Sequence, residues 1–242
     1  MCKMIINADD FGYCRAVNYG IMDAHLHGVL TSTTLLINTP GFRHAVALAK
    51  ECPSLGVGLH LNIALGQPLT KGSTLTGKDG CFIKPGNLSS SHNYLPEDIQ
   101  TELEAQYNRF IEVMGKKPTH LDSHLFTTDS NPVMAAAARL LAEKYRLPLR
   151  NHDISGFPHV DFIQFRTYQG EPGLSYVYDH IDDISSRPYV EVMSHPAYVD
   201  SYLLQSSSYN LQRLAELDFL VSSKTKDMFQ EYSVELINYS QL

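Results

Sequence analysis

Carboxylate and imidazole side chains follow short apolar runs at four places in this sequence: Asp9-Asp10, His60, His120-x-Asp122-x-His124 and His195. Neutral imidazole and carboxylate together make a donor set for Zn²⁺ or another divalent cation. Alternate residues of a strand share a face, so His120, Asp122 and His124 point the same way if that segment is extended. Asp9 and Asp10 are neighbours and would point opposite ways, but Gly12 just beyond lets the chain turn both carboxylates toward one pocket. One could then hold a metal while the other takes a proton from water. The competing reading makes Asp9 or Asp10 the cap of the helix that follows. Arg150 ends a further apolar run, and set against Asp9 it would keep that carboxylate ionised. Alone it reads equally as a surface arginine. One buried histidine is usually a satisfied core residue, whereas acids and histidines arriving from separated segments point to a site.

The elements that must position these groups are legible from periodicity. Met4–Asn7, Thr33–Asn38, Leu55–Asn62, Thr119–His124, Leu147–Arg150, Val190–Ser194 and Phe219–Ser222 read as strands. Helical spacing covers about Ala16–His27, Gly41–Cys52, Pro96–Gly115, Pro132–Tyr145, Tyr176–Ile184 and Tyr209–Leu217. Repeated strand-then-helix units predict an α/β fold: a TIM-like irregular (β/α) barrel of about seven parallel strands, closed or nearly so, in one domain over residues 1–242. The C-terminal ends of such strands face the active site, which is where the acids and histidines fall. One stretch, Gln67–Leu95, is rich in Gly, Pro, Ser and Thr and lacks sustained periodicity; it reads as a lid, a binding loop or a plain surface excursion. Gly72–Lys78 within it spells most of a phosphate-binding loop, but Asp79 stands where Ser or Thr is required, and no strand-to-helix context surrounds it.

Composition narrows the partners. A net charge of −7 disfavours nucleic acid, which selects a basic face. No run approaches a membrane span, and the short apolar start, followed at once by acids, is no export signal. Cys2, Cys14, Cys52 and Cys81 are widely spaced with no C-x-x-C pair, as expected of reduced thiols in a cytoplasmic protein.

Six blocks then read together: Asn7–Gly12, Val17–Ile21, Thr31–Thr34, Gly58–Asn62, Lys117–His124 and Glu191–Pro196. In order and in register they resemble the YdjC-type carbohydrate deacetylases, most nearly the chito-oligosaccharide members. The resemblance implies a single divalent ion, Mg or Zn, held by Asp10, His60 and His124. It also implies Asp9 as general base and His195 as general acid; Arg150 is expected, from its own place, to support Asp9. Asn62 and Phe126 are expected to meet the substrate. That substrate would be an N-acetylglucosamine oligomer such as chitobiose, with or without a 6-phosphate, losing acetate. The resemblance leaves room for a homodimer and calls for neither nucleic acid nor membrane. The chain departs from the family where a His-x-His-x-His run usually continues, for Phe126 and Thr128 hold the later places. Two other readings therefore stand beside the deacetylase: a catalytically weak sugar-binding or regulatory protein, and a metal-dependent hydrolase of other amides or esters.

Overall fold

The structure, a computed structural model, describes residues 1–84, 93–163 and 173–242. Its strands are β1 (Lys3–Phe11), β2 (Ser32–Leu35), β3 (Gly56–Leu61), β4 (Leu121–Ser123), β5 (Asp161–Ile163), β6 (Tyr189–Ser194) and β7 (Glu235–Ile237). The helices are α1 (Arg15–Leu26), α2 (Phe42–Glu51), α3 (Pro96–Met114), α4 (Thr127–Ser130), α5 (Pro132–Tyr145), α6 (Tyr176–Ser185), α7 (Ser201–Ser206), α8 (Gln212–Val221) and α9 (Ser223–Glu231). Every strand-to-strand pairing is parallel, in the order β4-β3-β2-β1-β6-β5. β7 pairs with the start of β1, at Lys3–Ile5, and β2 pairs with β1 from Asn7 onward. Helices cover the outside, so β2 and β3 are buried along their whole length, as parallel strands must be.

Among the described residues seven parallel strands are present, the number expected, with two members exchanged and the closure corrected. The sheet curls into a half-barrel and stops. Leu147–Arg150 makes only a single parallel bridge to β4, through Leu149. Pro148 cannot donate to a ladder, and Asn151 turns the chain away at φ 57°. Among the described residues nothing joins this segment to β5. Phe219–Ser222 is not a strand: it ends α8, whose buried Arg213, Glu216, Leu217 and Leu220 repeat with helical spacing. Ser222 then caps α9 by accepting from the Lys224 N–H. The short β5 and β7 take those two places in the sheet.

Part of the Gln67–Leu95 excursion, residues 85–92, lies outside the described residues. Its first section is anchored by the buried Glu102 of α3, which accepts from the Leu69 N–H (3.0 Å) and the Thr70 N–H (2.9 Å). In the phosphate-loop look-alike, Thr74 is spent on Asp98, through its N–H (2.8 Å) and its hydroxyl (2.7 Å). Among the described residues 79–84 no helix follows Lys78, and Thr76 pairs antiparallel with Phe82 instead.

Candidate active site

β1 delivers two adjacent carboxylates to one pocket because the strand breaks its alternation at the second. Asp10 sits at φ 71°, left-handed, and the β1–β2 register slips between Ala8 and Phe11. Asp tolerates that conformation better than most residues. The expected turn at Gly12 is also present, at φ 97°, where a Cβ would stand 2.6 Å from the Leu36 carbonyl. The capping alternative fails: α1 begins after Cys14, with no side-chain cap.

Asp10, His60 and His124 converge at the C-terminal rim, all buried, with one ligand atom of each within 4.8 Å of the others. His60 Nε2 is 3.5 Å and His124 Nδ1 3.0 Å from Asp10 Oδ1. Two donors about 2.1 Å from one tetrahedral ion stand roughly 3.4 Å apart, so this spacing suits a small divalent cation. The His60 tautomer is fixed from behind. Its Nδ1–H donates to Asp122 Oδ1 at 2.6 Å, leaving Nε2 free for a metal. Asp122 in turn accepts from the Thr34 hydroxyl (2.8 Å) and faces Arg150 Nη1 (2.9 Å).

A second trio, Asp9, His60 and Asp122, is equally compact. Its carboxylates are already engaged. Arg150 donates to both oxygens of Asp9, at 2.8 and 2.7 Å, and through Nε to Glu191 at 2.7 Å. The first trio is therefore the better metal site.

The electrostatics favour a cation as well. Asp9, Asp10, Asp122 and Glu191 are buried against two guanidiniums, Arg150 and Arg213. These carboxylates outnumber the guanidiniums that face them, so the cluster draws a further positive charge. Burial disfavours protonation of His60, yet Asp122, Asp10 and Asp9 push its imidazole up to about 10, the pull such a cluster exerts on any positive charge. Burial also opposes the ionisation of Asp9 and Asp10. Arg150 overcomes it at Asp9, and Arg213 with His124 at Asp10, so both lie well below the ordinary carboxylate range. His195, just past β6, is lowered first by burial and then by Arg213. Its N–H is held by Glu216 of α8, and its ring meets Tyr209 edge-on at 5.3 Å.

A cavity of about 740 Å³ opens above these groups, with Asp9, Asp10, His60, His124, His195 and Phe126 in its wall. Asn62, expected to meet the substrate, goes elsewhere. It is buried in a turn, where its side chain donates to Leu65 O (2.7 Å) and accepts from the Ala64 and Leu65 N–H groups (3.0 and 2.9 Å). It shapes the wall and does not line it. Thr128 is buried too, bound to Ser123 through hydroxyl and N–H at 2.8 and 2.9 Å. Phe126 does reach the cavity, on a stretch where Leu125 and Phe126 are both left-handed, at φ 55° and 53°. Such strain persists where surrounding structure enforces it, often at functional sites.

His120 lies one layer below the rim. Its ring stacks on Tyr239 at 3.7 Å and fills the space where Gly58 lacks a Cβ, which would stand 2.4 Å from His120 Cε1. Tyr239 also donates to Glu191, tying this layer to Arg150. Asp122 and Gly58 carried signals of these roles in their motifs. Arg213 and Glu216 carried none, lying in a helix whose end reads as a strand.

The class is that of a curled parallel α/β half-barrel whose rim carries an Asp-His-His cluster that could hold a metal, with an arginine-braced carboxylate beside it. Residues 3–231 match the family model described as YdjC-like protein. Carbohydrate deacetylase 2 of Listeria innocua serovar 6a is 50% identical, over 99% of this chain and 98% of its own length. The chitooligosaccharide deacetylase of Proteus mirabilis is 38% identical, over 99% and 98%. A solved structure from Enterococcus faecalis V583, proposed to be a cellobiose-phosphate cleavage protein, superposes with a TM-score of 0.88 at 30% identity, covering 99% of this chain and 98% of that one. The chain belongs to the YdjC-like family, as its motifs led us to expect, and its curated relatives named here are carbohydrate deacetylases, hydrolases of an amide bond.

Proposed function

We propose that this chain is a carbohydrate deacetylase that depends on one divalent ion, Mg or Zn, and removes the N-acetyl group from N-acetylglucosamine oligosaccharides. Chitobiose and its 6-phosphate are the candidate substrates, acetate the product and the cytoplasm the site of action. The observation that carries this reading is the Asp10-His60-His124 trio at the cavity wall, with Asp122 fixing the His60 tautomer. Among the described residues no helix is long and apolar enough to cross a membrane.

When bound, a divalent ion supplies a Lewis acid for the acetyl carbonyl and a nucleophile at neutral pH. The chain's own residues handle position and protons. Asp9, kept ionised by Arg150, accepts the proton of the attacking water. His195 rests as neutral imidazole; it takes up a proton from solvent as negative charge develops on the substrate, and passes that proton to the departing amine. Phe126 offers a ring face to the sugar. Arg213 holds Asp10 from the side away from the histidines, through a 2.7 Å bond to Oδ2.

The test is acetate release from N-acetylglucosamine oligomers, with and without 6-phosphate, together with elemental analysis. Wild type should retain about one equivalent of divalent metal, and His60→Ala or His124→Ala should lose both metal and turnover. Full metal content in both variants, or no acetate from any oligomer, would sink the reading.

A further inference from the structure

The cavity continues past the metal ligands. Tyr13 and Leu65, part of its wall, also line a second compartment of about 390 Å³, formed with Asn38, Thr39, Gln67 and Tyr202. We propose that this compartment holds the neighbouring, uncharged ring of the oligosaccharide and so sets a preference for chains over the single sugar. The inference rests on the deacetylase reading above for the identity of the reacting ring.

Its chemistry matches a pyranose. A sugar ring has an apolar C–H face and a rim of hydroxyls, and tyrosine offers a broad face beside a polar tip. Tyr202 is 42% exposed and meets Tyr13 edge-on at 6.0 Å, which braces the ring while leaving much of it open. Tyr13 is fixed in turn by its hydroxyl, which lies 3.1 Å from both the backbone oxygen and the hydroxyl of Ser206. Across the compartment Gln67 is exposed, and its side-chain amide is free of partners among the described residues.

The compartment is also preformed. Asn38 donates to Leu65 O (3.3 Å) and Gln67 O (2.9 Å) and accepts from Asn62 Nδ2 (3.0 Å). Glu102 anchors the next turn at Leu69 and Thr70. A site built before the ligand arrives loses less affinity to ordering. Its volume falls within the roughly 300–1,000 Å³ usual for small-molecule sites. Among the described residues no charged side chain lines it, whereas Lys84 and Arg213 line the main cavity. The distal ring is therefore neutral, and any phosphate belongs on the other side.

The experiment compares kcat/KM for N,N′-diacetylchitobiose and N-acetylglucosamine in wild type, Tyr202→Ala, Tyr202→Phe and Gln67→Ala. The disaccharide-to-monosaccharide ratio should fall about tenfold in Tyr202→Ala and several-fold in Gln67→Ala, and stay near wild type in Tyr202→Phe. A ratio unchanged in both alanine variants, or equal losses on the two sugars, overturns the proposal. If wild type releases no acetate from either sugar, the deacetylase reading fails, and calorimetric binding of the disaccharide decides the compartment. Weaker binding by Tyr202→Ala than by wild type supports it; equal or absent binding overturns it.

Discussion

Arg150→Met keeps the apolar stem of the side chain and removes its charge from the centre of the buried network. The guanidinium braces Asp9 at both oxygens, Glu191 through Nε, and Asp122 at 2.9 Å, and it is itself 3% exposed. Leaving a buried charge without its partner costs about 3–5 kcal/mol. Three carboxylates lose their arginine, but the cost does not triple. Burial already raises the Glu191 carboxyl above its ordinary range, against the pull of Arg150, so Glu191 sheds its charge by taking a proton. Asp9 and Asp122 remain beside His60, whose imidazole their charge keeps positive. The expected loss is therefore one broken pair, toward the upper end of about 3–5 kcal/mol. With a urea slope of about 3 kcal/mol/M, the unfolding midpoint of the metal-stripped protein should fall by roughly 1.3–1.7 M. A carboxyl raised in the folded state contributes stability that is complete below its unfolded value and lost as pH rises through the folded one. Without Arg150 the folded value of Glu191 climbs further, so the deficit should be larger near pH 8 than near pH 5. Urea titrations followed by circular dichroism at both pH values measure this. A midpoint shift under about 0.3 M, or a deficit larger at the acid end, would refute the assignment of Arg150 as the neutralising centre.

Asp9→Asn should keep its metal yet lose about two or more orders of magnitude in kcat, and His195→Ala should behave alike; near-normal turnover with metal bound would assign that residue a structural role. Phe126→His should leave the metal content unchanged while reordering substrates by kcat/KM, since Phe126 lines the cavity without joining the metal trio. A changed metal stoichiometry, read by elemental analysis, would count against that placement. Gly58→Ala should cost about 1–3 kcal/mol in thermal or urea unfolding, because its Cβ would stand 2.4 Å from His120 Cε1 and 2.8 Å from Thr34 Cγ2. A melting temperature equal to wild type would show that the His120–Tyr239 stack gives way freely.

What the residues disclosed before any coordinates were known divides along physical lines. Long periodic helices were readable, α5 to the residue, because Pro132 and Asn131 mark its start and its apolar spacing is unbroken. The convergence of Asp10, His60 and His124 was readable because each stands at a strand end within a motif. β5 and β7 were not, since three-residue strands leave no period to detect. The end of α8 looked like a strand because Phe219, Leu220 and Val221 form an apolar run, and only burial on one helical face shows otherwise. Arg213 shared that obscurity: its pairing with Asp10 spans nearly the whole chain, and no local pattern encodes such a contact. Asn62 misled in the opposite direction. Its place in a motif beside His60 reflects the turn it closes more than any ligand it meets.

The pairing of β1 bears on the order in which the protein can be assembled. Lys3 is joined to Tyr189 of β6 and to Glu235 of β7, so the first strand of this sheet to be made waits for its last two. Asp9 likewise waits for Arg150, and Asp10 for Arg213. Through most of translation the nascent chain carries an apolar strand tipped with two uncompensated acids. Those charges disfavour premature burial of the strand end, and such distant pairings slow folding. Completion of this half-barrel thus waits for its last-made strands, and the groups that shape the candidate site meet at the same step that completes the core.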